Sequence, residues 1–301
     1  MTILSAHGRG RRGGYALATL MLATIGCGRF SRGNRTSTLP APAKTIASGV
    51  RFQEIRVSKF KERPRLWVYA PDDKKKNHPC IVIAAAGSPM TSGMPLGEGD
   101  RAEHLPYVAK GYVVVAYEVS GPLVKGADPI PAMTLFAKRD LGIANGKAAI
   151  DYALHSLPVD PMRLYAVGHS SAATLALQLS AADSRIRGCV AYAPVTDVPD
   201  FIGPDRMALI GNRIPQLATA IRKLSPKANI GALRCPVMLF TAADDQTVPT
   251  ESVQSYAEAL KQKNSDVDLV RVSSGDHYDS MIQEGIPAGI QWLGRARRPK
   301  K

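Results

Sequence analysis

A serine stands at a sharp corner of this 301-residue sequence, in the run YAVGHSSAATLAL that begins at Tyr165. The apolar residues before Gly168 are typical of a buried strand, and small and aliphatic residues recur at helical spacing after Ser170. The pattern Gly-x-Ser-x-Ala therefore puts Ser170 on a tight turn, where a helix N-terminus favours a developing negative charge. This predicts a nucleophilic serine. The alternative is that Ser170 only caps the helix.

A serine nucleophile needs a base that takes its proton and a carboxylate that orients the base. His277 is the one histidine that follows Ser170, and it lies in SSGDHYD, directly after the last predicted strand. The preceding strand, VMLFTA, leads into the neighbouring acids Asp244 and Asp245, and Asp197 follows the strand before that. The sequence thus offers His277 as the base and three candidate acids.

The loop that begins at Asp245 resembles a known family. Its residues DQTVP match the D-x-x-V-P acid loop of α/β-hydrolases, including dienelactone-hydrolase-like and prolyl-oligopeptidase-like members. The turn at Ser170 is similar to their G-x-S-x-G nucleophile elbow, with Ala172 in the last place. The resemblance runs from about residue 61 to residue 293. It implies Ser170, Asp245 and His277 as nucleophile, acid and base, with Asp244 as the alternative acid.

The resemblance also implies an oxyanion hole made of two backbone N–H groups. Ser171, which follows the nucleophile, is expected to provide one of them. The other is expected from the loop after the strand CIVIAAAG, where many relatives carry His-Gly and this chain has Ala85, Ala86 and Gly87. Gly87, or Ser88 after it, is the predicted second donor.

The substrate pocket is expected between the oxyanion loop, the elbow and a segment of about residues 197–230, which we interpret as a lid. The predicted lining residues are Ser88, His169, Phe201 and Ile202. The apolar lid residues, which either line the pocket or pack the lid onto the sheet, are Phe201, Ile202, Met207, Leu209 and Ile210.

A serine hydrolase with an acyl-enzyme intermediate is the function that the resemblance implies, and this chemistry needs no metal or organic cofactor. A carboxylic ester is the expected substrate, because the sequence has no obvious extra domain that would admit only short peptides. Three alternatives stay open: a peptidase of the prolyl-oligopeptidase type, acyl transfer to an alcohol, and a catalytically silent binding protein. The altered Ala85–Ala86 segment and Ala172 are the features that favour the silent protein.

These residues need an α/β scaffold, and the sequence alternates strand and helix patterns along most of its length. The order predicts one α/β-hydrolase domain over residues 49–301, with a mostly parallel, doubly wound sheet of about eight strands and ligands at the carboxyl ends of those strands. The predicted strands are RFQEIRVS, RLWVYAP, CIVIAAAG, YVVVAYEV, RLYAVG, GCVAYAPV, VMLFTA and DLVRVSS. The predicted helices are AEHLPYVAKG, KRDLGIANGKAAIDYALHSL, SAATLALQLSAA, TESVQSYAEALKQK and YDSMIQEGIPAGIQWLGRA.

The N-terminus is similar to a bacterial lipoprotein signal. Arginines precede the apolar run YALATLMLATIG, and Cys27 follows after a small residue, although Thr24 replaces the usual leucine. We therefore expect residues 1–27 to direct export to the cell envelope or periplasm, with Cys27 as the candidate lipidation site, and residues 28–48 to form a flexible tether. Such a lipid would be the only membrane contact.

The formal net charge of +14 does not indicate nucleic-acid binding. The basic side chains before Glu54 and from Arg295 onward account for nearly all of the excess, so the body of the chain is close to neutral. No basic and aromatic interleaving supports a nucleic-acid surface.

The remaining cysteines begin apolar runs without zinc-ligand spacing, which predicts core thiols or one disulfide between neighbouring strands; they are Cys80, Cys189 and Cys235. The oligomeric state is left open.

Overall fold

The computed structural model describes residues 44–295, which form a nine-stranded sheet covered by helices. The strands are β1 (Lys44–Ala47), β2 (Val50–Arg56), β3 (Arg65–Pro71), β4 (His78–Ala84), β5 (Val113–Tyr117), β6 (Val159–His169), β7 (Cys189–Tyr192), β8 (Val237–Ala242) and β9 (Val267–Val272). The central strands β4, β5, β7 and β8 are buried at every position, as parallel strands covered on both faces must be.

The sheet runs in the order β1-β2-β3-β5-β4-β6-β7-β8-β9. The strands from β5 to β9 in this order are mutually parallel, and β3, β2 and β1 extend one edge in antiparallel pairs. The strand order reverses around β4, since β5 lies on one side of it and β6 on the other. Ligands of doubly wound sheets bind at the carboxyl edge near such a reversal, and β6 ends there at the predicted elbow.

Helices cover both faces of the sheet. They are α1 (Arg101–Ala109), α2 (Pro129–Lys138), α3 (Ile143–Ser156), α4 (Ser171–Ala182), α5 (Val198–Ile202), α6 (Pro204–Arg213), α7 (Pro215–Leu224), α8 (Thr250–Lys261) and α9 (Ile286–Arg295). Alternate residues of β4 belong to different clusters of the core: Cys80 and Val82 pack with α2–α8, whereas Ile81 and Ile83 pack with α1 and α9. This two-fold periodicity is what a sheet buried between two helical layers requires.

The mostly parallel, doubly wound sheet is confirmed, with one more strand than the predicted eight. The additional strand, Lys44–Ala47, comes from the end of the segment predicted as a tether, because these residues pair with β2. The single helix predicted over residues 138–157 is wrong. Asp140, Leu141 and Gly142 all have positive φ, which an α-helix does not accommodate, so α2 ends before them and α3 begins after them.

The predicted signal segment, Cys27 and most of the tether lie outside the described residues. No helix among residues 44–295 is both long and apolar enough to cross a bilayer. Cys80, Cys189 and Cys235 are free thiols, the first two fully buried and the third partly so. They match the prediction of core thiols rather than that of a disulfide.

Candidate active site

Ser170 is the single residue between β6 and α4, and it has φ 55° and ψ −121°. This backbone conformation is unfavourable for a residue with a side chain, at a cost on the order of 1–3 kcal/mol. Two hydrogen bonds hold it. The Ser170 N–H donates to the carbonyl of Tyr192 in β7 at 2.9 Å, and the N–H of Thr174 donates to the Ser170 carbonyl at 3.0 Å. The neighbouring strand and the first helical turn therefore impose the corner.

The Ser170 side chain does not cap α4, although the residue occupies the N-cap position. Capping requires the side-chain oxygen to accept a hydrogen bond from an N–H of the first turn, and Ser170 accepts none. Capping therefore does not explain this serine, and its hydroxyl is left for another use.

Gly168 is the residue that lets strand and helix approach so closely. A Cβ atom at this position would overlap the main chain of Ala172 and lie 2.7 Å from the nitrogen of Ala173. Ala172 itself lies inside α4 and is 1% exposed, so its methyl group is accommodated in the core. The first place of the Gly-x-Ser-x-Ala pattern thus requires glycine, whereas the last place accepts alanine.

Asp245 and His277 meet at the carboxyl ends of β8 and β9. Oδ2 of Asp245 lies 2.8 Å from Nδ1 of His277. Oδ1 of Asp245 accepts hydrogen bonds from the N–H groups of Thr247 at 2.8 Å and Val248 at 2.9 Å. Every oxygen of this buried carboxylate therefore has a partner, and its orientation toward the imidazole is set by the backbone of its own loop.

The pKa of Asp245 lies below its usual value. Burial raises it, but the hydrogen bond from His277 and those from two backbone N–H groups outweigh burial. The carboxylate thus stays ionised at neutral pH and holds the imidazole proton on Nδ1, since a carboxylate only accepts.

The two other candidate acids have different partners. Oδ2 of Asp244, an exposed residue, accepts from the N–H of Gly275 at 3.3 Å. Asp197 caps α5 and forms an ion pair with Lys227 at 2.9 Å. Neither carboxylate is hydrogen-bonded to His277 among the described residues.

His277 lies beside the elbow. Its ring centroid is 4.6 Å from that of His169, the residue that precedes Ser170. Nε2 of His277 is buried and makes no hydrogen bond within residues 44–295. The imidazole therefore presents one ring nitrogen to Asp245 and keeps the other without a hydrogen-bond partner, while its ring packs against the residue that precedes Ser170.

Two N–H groups lie at the start of α4, that of Ser171 itself and that of Ser88. The N–H of Ser171 is in the first turn of a helix, where intrahelical acceptors are lacking. The N–H of Ser88 donates to Oγ of Ser171 at 2.9 Å. Gly87, the first choice from the sequence, has φ +90° and provides the turn that directs Ser88. Of the two candidates on this loop, Ser88 is the one whose N–H points at the elbow.

The predicted pocket residues separate into different environments. Ser88 lines a cavity of about 20 Å³ behind the elbow, which is room for one water molecule. Phe201 is 47% exposed, whereas Ile202 is buried in the core with Met207 and Ile210. These buried lid residues pack the lid onto the sheet.

The described residues hold no group of three or more His, Cys, Asp or Glu that could bind a metal ion.

Glu103, on α1, is a residue near the site that the sequence analysis did not identify. It is 6% exposed, and its Oε1 lies 3.6 Å from Nδ1 of His169. His169 itself, predicted to line the pocket, is only 4% exposed, and its Nε2 lies 2.7 Å from the carbonyl oxygen of His277. The one signal in the sequence was a polar pair, Glu103 and His104, within the otherwise mostly apolar helix pattern.

Comparison with solved structures shows what this fold resembles. An acetyl xylan esterase from Thermoanaerobacterium sp. JW/SL YS485 has a TM-score of 0.63 and 16% identity, with 85% of this chain and 87% of that one covered. The esterase Est2 from Thermogutta terrifontis, a Planctomycetes species, has a TM-score of 0.61 and 21% identity, with 83% and 96% covered. An acylaminoacyl peptidase from Pyrococcus horikoshii has a TM-score of 0.65 and 16% identity; 84% of this chain is covered, which spans only 43% of the peptidase.

At these identities the similarity concerns the fold alone. No curated protein matches the sequence significantly. The model of the prolyl oligopeptidase family, in contrast, matches residues 101–286, which is more than half of the chain and includes the elbow, the acid loop and His277. The chain therefore belongs to the prolyl oligopeptidase family and is a serine hydrolase with the α/β-hydrolase fold.

Proposed function

We propose that this protein cleaves a carboxylic ester through a triad of Ser170, His277 and Asp245. The observation that carries the proposal is the 2.8 Å hydrogen bond between His277 and Asp245. The His277 ring packs against His169, and the next residue is Ser170, whose hydroxyl does not cap its helix. Because that bond keeps the imidazole proton on Nδ1, the lone pair is on Nε2. Nε2 is thus the atom that takes the Ser170 proton.

In this mechanism Oγ of Ser170 attacks the acyl carbon while Nε2 of His277 accepts the hydroxyl proton. The negative charge develops on the former carbonyl oxygen, which accepts hydrogen bonds from the N–H groups of Ser171 and Ser88. Before substrate binds, the Ser88 N–H is bonded to the Ser171 hydroxyl, so the oxyanion takes the place of that partner. Gly87 is the alternative second donor.

The tetrahedral intermediate collapses when His277 returns its proton to the leaving alkoxide, which departs as an alcohol. This leaves the acyl group on Ser170. A water molecule then loses a proton to His277 and attacks the same carbon. His277 returns that proton to Oγ of Ser170 as the acyl bond breaks, which releases the acid and regenerates the serine. Asp245 stabilises the imidazolium in both halves without itself being protonated.

We favour an ester over a peptide as the substrate because two esterases of this fold align over 87% and 96% of their length. The same residues are competent to cleave an amide, and the acylaminoacyl peptidase also has this fold. The discriminating assay compares an alkyl ester with an anilide of the same acyl group. We expect turnover of the ester and little of the anilide; comparable kcat/KM values for both would favour the peptidase.

Added methanol tests for acyl transfer, since a transferase would form the methyl ester instead of the acid.

The triad is tested by labelling with a fluorophosphonate probe, followed by peptide mass mapping. We expect the wild type to be labelled at Ser170, and both Ser170→Ala and His277→Ala to lose the label while still folding. A folded wild type that takes no label would contradict the proposal and favour a catalytically silent binding protein.

A further inference from the structure

His169 is a buried residue of the elbow whose two ring nitrogens both face acceptors. Nε2 lies 2.7 Å from the carbonyl oxygen of His277. Nδ1 lies 3.6 Å from Oε1 of Glu103, at ion-pair distance. Since a backbone carbonyl only accepts, Nε2 carries the hydrogen of that bond, and Nδ1 is the ring nitrogen that faces the Glu103 carboxylate. The imidazole therefore lies between the Glu103 carboxylate and the backbone of His277.

Glu103 has an unusual position for a carboxylate. Its side chain is 8% exposed, and a buried carboxylate is costly unless it is paired. Within the described chain, His169 is the one basic side chain at ion-pair distance from it. Its charge also acts on the loop of His277: burial, and after it the charge of Glu103, raises the pKa of Tyr278. Glu103 and His169 therefore face the His277 loop together.

That loop has few other contacts with the interior. Residues 273–279 are exposed or half-buried, and most of their hydrogen bonds are local. Asp276 accepts from the N–H groups of Tyr278 and Asp279 and from the Ser280 hydroxyl, and the Gly275 N–H donates to Asp244. The side chain of His277 is held by Asp245, and its backbone is held by His169. Exposed loops with few buried contacts move readily, so the position of Nε2 depends on both anchors.

We propose that Glu103 and His169 are positioning residues that hold the backbone of His277 so that its Nε2 stays in reach of Ser170. This inference rests on the proposed function. Neither side chain enters the reaction, and neither exchanges protons with the substrate. The two side chains raise the fraction of molecules in which His277 and Ser170 are aligned. Removing either side chain therefore lowers kcat and leaves substrate binding unchanged.

The decisive variants are His169→Phe and His169→Gln. Phenylalanine keeps a ring of similar size against His277 but has no donor, whereas the glutamine amide reaches the same carbonyl from the Nε2 position. With a short alkyl ester, we expect His169→Phe to lower kcat about 10- to 100-fold, the effect of leaving the His277 carbonyl without its donor, with KM unchanged. We expect His169→Gln to recover most of that loss. Active-site titration with the fluorophosphonate corrects each rate for the folded fraction.

Glu103→Gln is the second test, and it serves if His169→Phe does not fold. It keeps the side-chain volume and removes the charge, so we expect kcat to fall about 3- to 10-fold at constant KM. Glu98→Gln is the matched control, since Glu98 is 73% exposed and its one ion pair within residues 44–295 is with Arg101. This control is expected to keep wild-type kcat.

Three results would overturn the proposal: wild-type kcat in His169→Phe, no recovery in His169→Gln, or wild-type kcat in Glu103→Gln. None of these results contradicts the proposed triad, provided that the wild type is labelled at Ser170. A wild type without label overturns the triad and, with it, the positioning role.

Discussion

Asp245→Asn is the substitution whose effect the structure defines most narrowly. Oδ1 of Asp245 accepts hydrogen bonds from two backbone N–H groups, at 2.8 and 2.9 Å, and Oδ2 faces Nδ1 of His277. An asparagine that pointed its NH₂ group at those two backbone donors would leave both unsatisfied, at about 1–3 kcal/mol each. Its carbonyl oxygen must therefore replace Oδ1, so its NH₂ group faces the imidazole.

That orientation forces the wrong tautomer of the base. An NH₂ group only donates, so Nδ1 of His277 must accept, and the imidazole proton moves to Nε2. Nε2 then has no lone pair for the Ser170 proton. The Asp245 side chain is 1% exposed, so water does not relieve the constraint. We expect kcat to fall about 10⁴-fold, or roughly 5.5 kcal/mol of transition-state stabilisation, with the folded state retained.

The assay is steady-state hydrolysis of a short alkyl ester, with thermal unfolding as the check on folding. Asp244→Asn is the matched control, because Asp244 is exposed and an asparagine oxygen can still accept from the N–H of Gly275. We expect the control to stay within about threefold of the wild type, as surface substitutions usually do. The reasoning is refuted if Asp245→Asn keeps more than a tenth of wild-type kcat, or if Asp244→Asn is the variant that loses activity.

Two further predictions concern stability. Gly168→Ala is expected to destabilise the fold by at least about 3 kcal/mol, because the added methyl group meets main-chain atoms. Ala172→Gly should cost only about 1 kcal/mol of helix stability. Urea unfolding measures both variants, and similar free energies of unfolding would contradict the elbow geometry. Glu62→Gln tests the ion pair with Arg139, in which Nε of Arg139 lies 2.7 Å from Oε1 of Glu62. The hydrogen bond from Arg139 lowers the pKa of Glu62 from 4.5 to about 2. Because the folded-state pKa is depressed, we expect the pair to stabilise the folded state above pH 4.5 and to lose that contribution as the pH falls toward 2. Thermal unfolding of both proteins at several pH values should therefore converge under acid, and a gap that does not depend on pH would count against the pair.

The sequence by itself determined the order of the elements and the main chemical candidates. Apolar runs and helical periodicity are local properties, so the strands on either side of the elbow and the helix α4 (Ser171–Ala182) were predicted closely. The order of serine, acid and histidine is also a property of the chain, and it restricted the base to His277. The requirement for a small residue at Gly168 follows in the same way from a strand and a helix joined by one residue.

Tertiary structure decided everything that depends on the direction of a side chain or on distant partners. Asp244 and Asp245 are neighbours with the same side chain, and it is the folded loop that brings only Asp245 within hydrogen-bond distance of His277. Glu103 is 66 residues before His169 in the chain, so no local pattern could pair the two. Likewise, Lys44–Ala47 is a strand only because β2 supplies its hydrogen-bond partners. Periodicity reports which face is buried, whereas the contacts on that face exist only after the chain has packed.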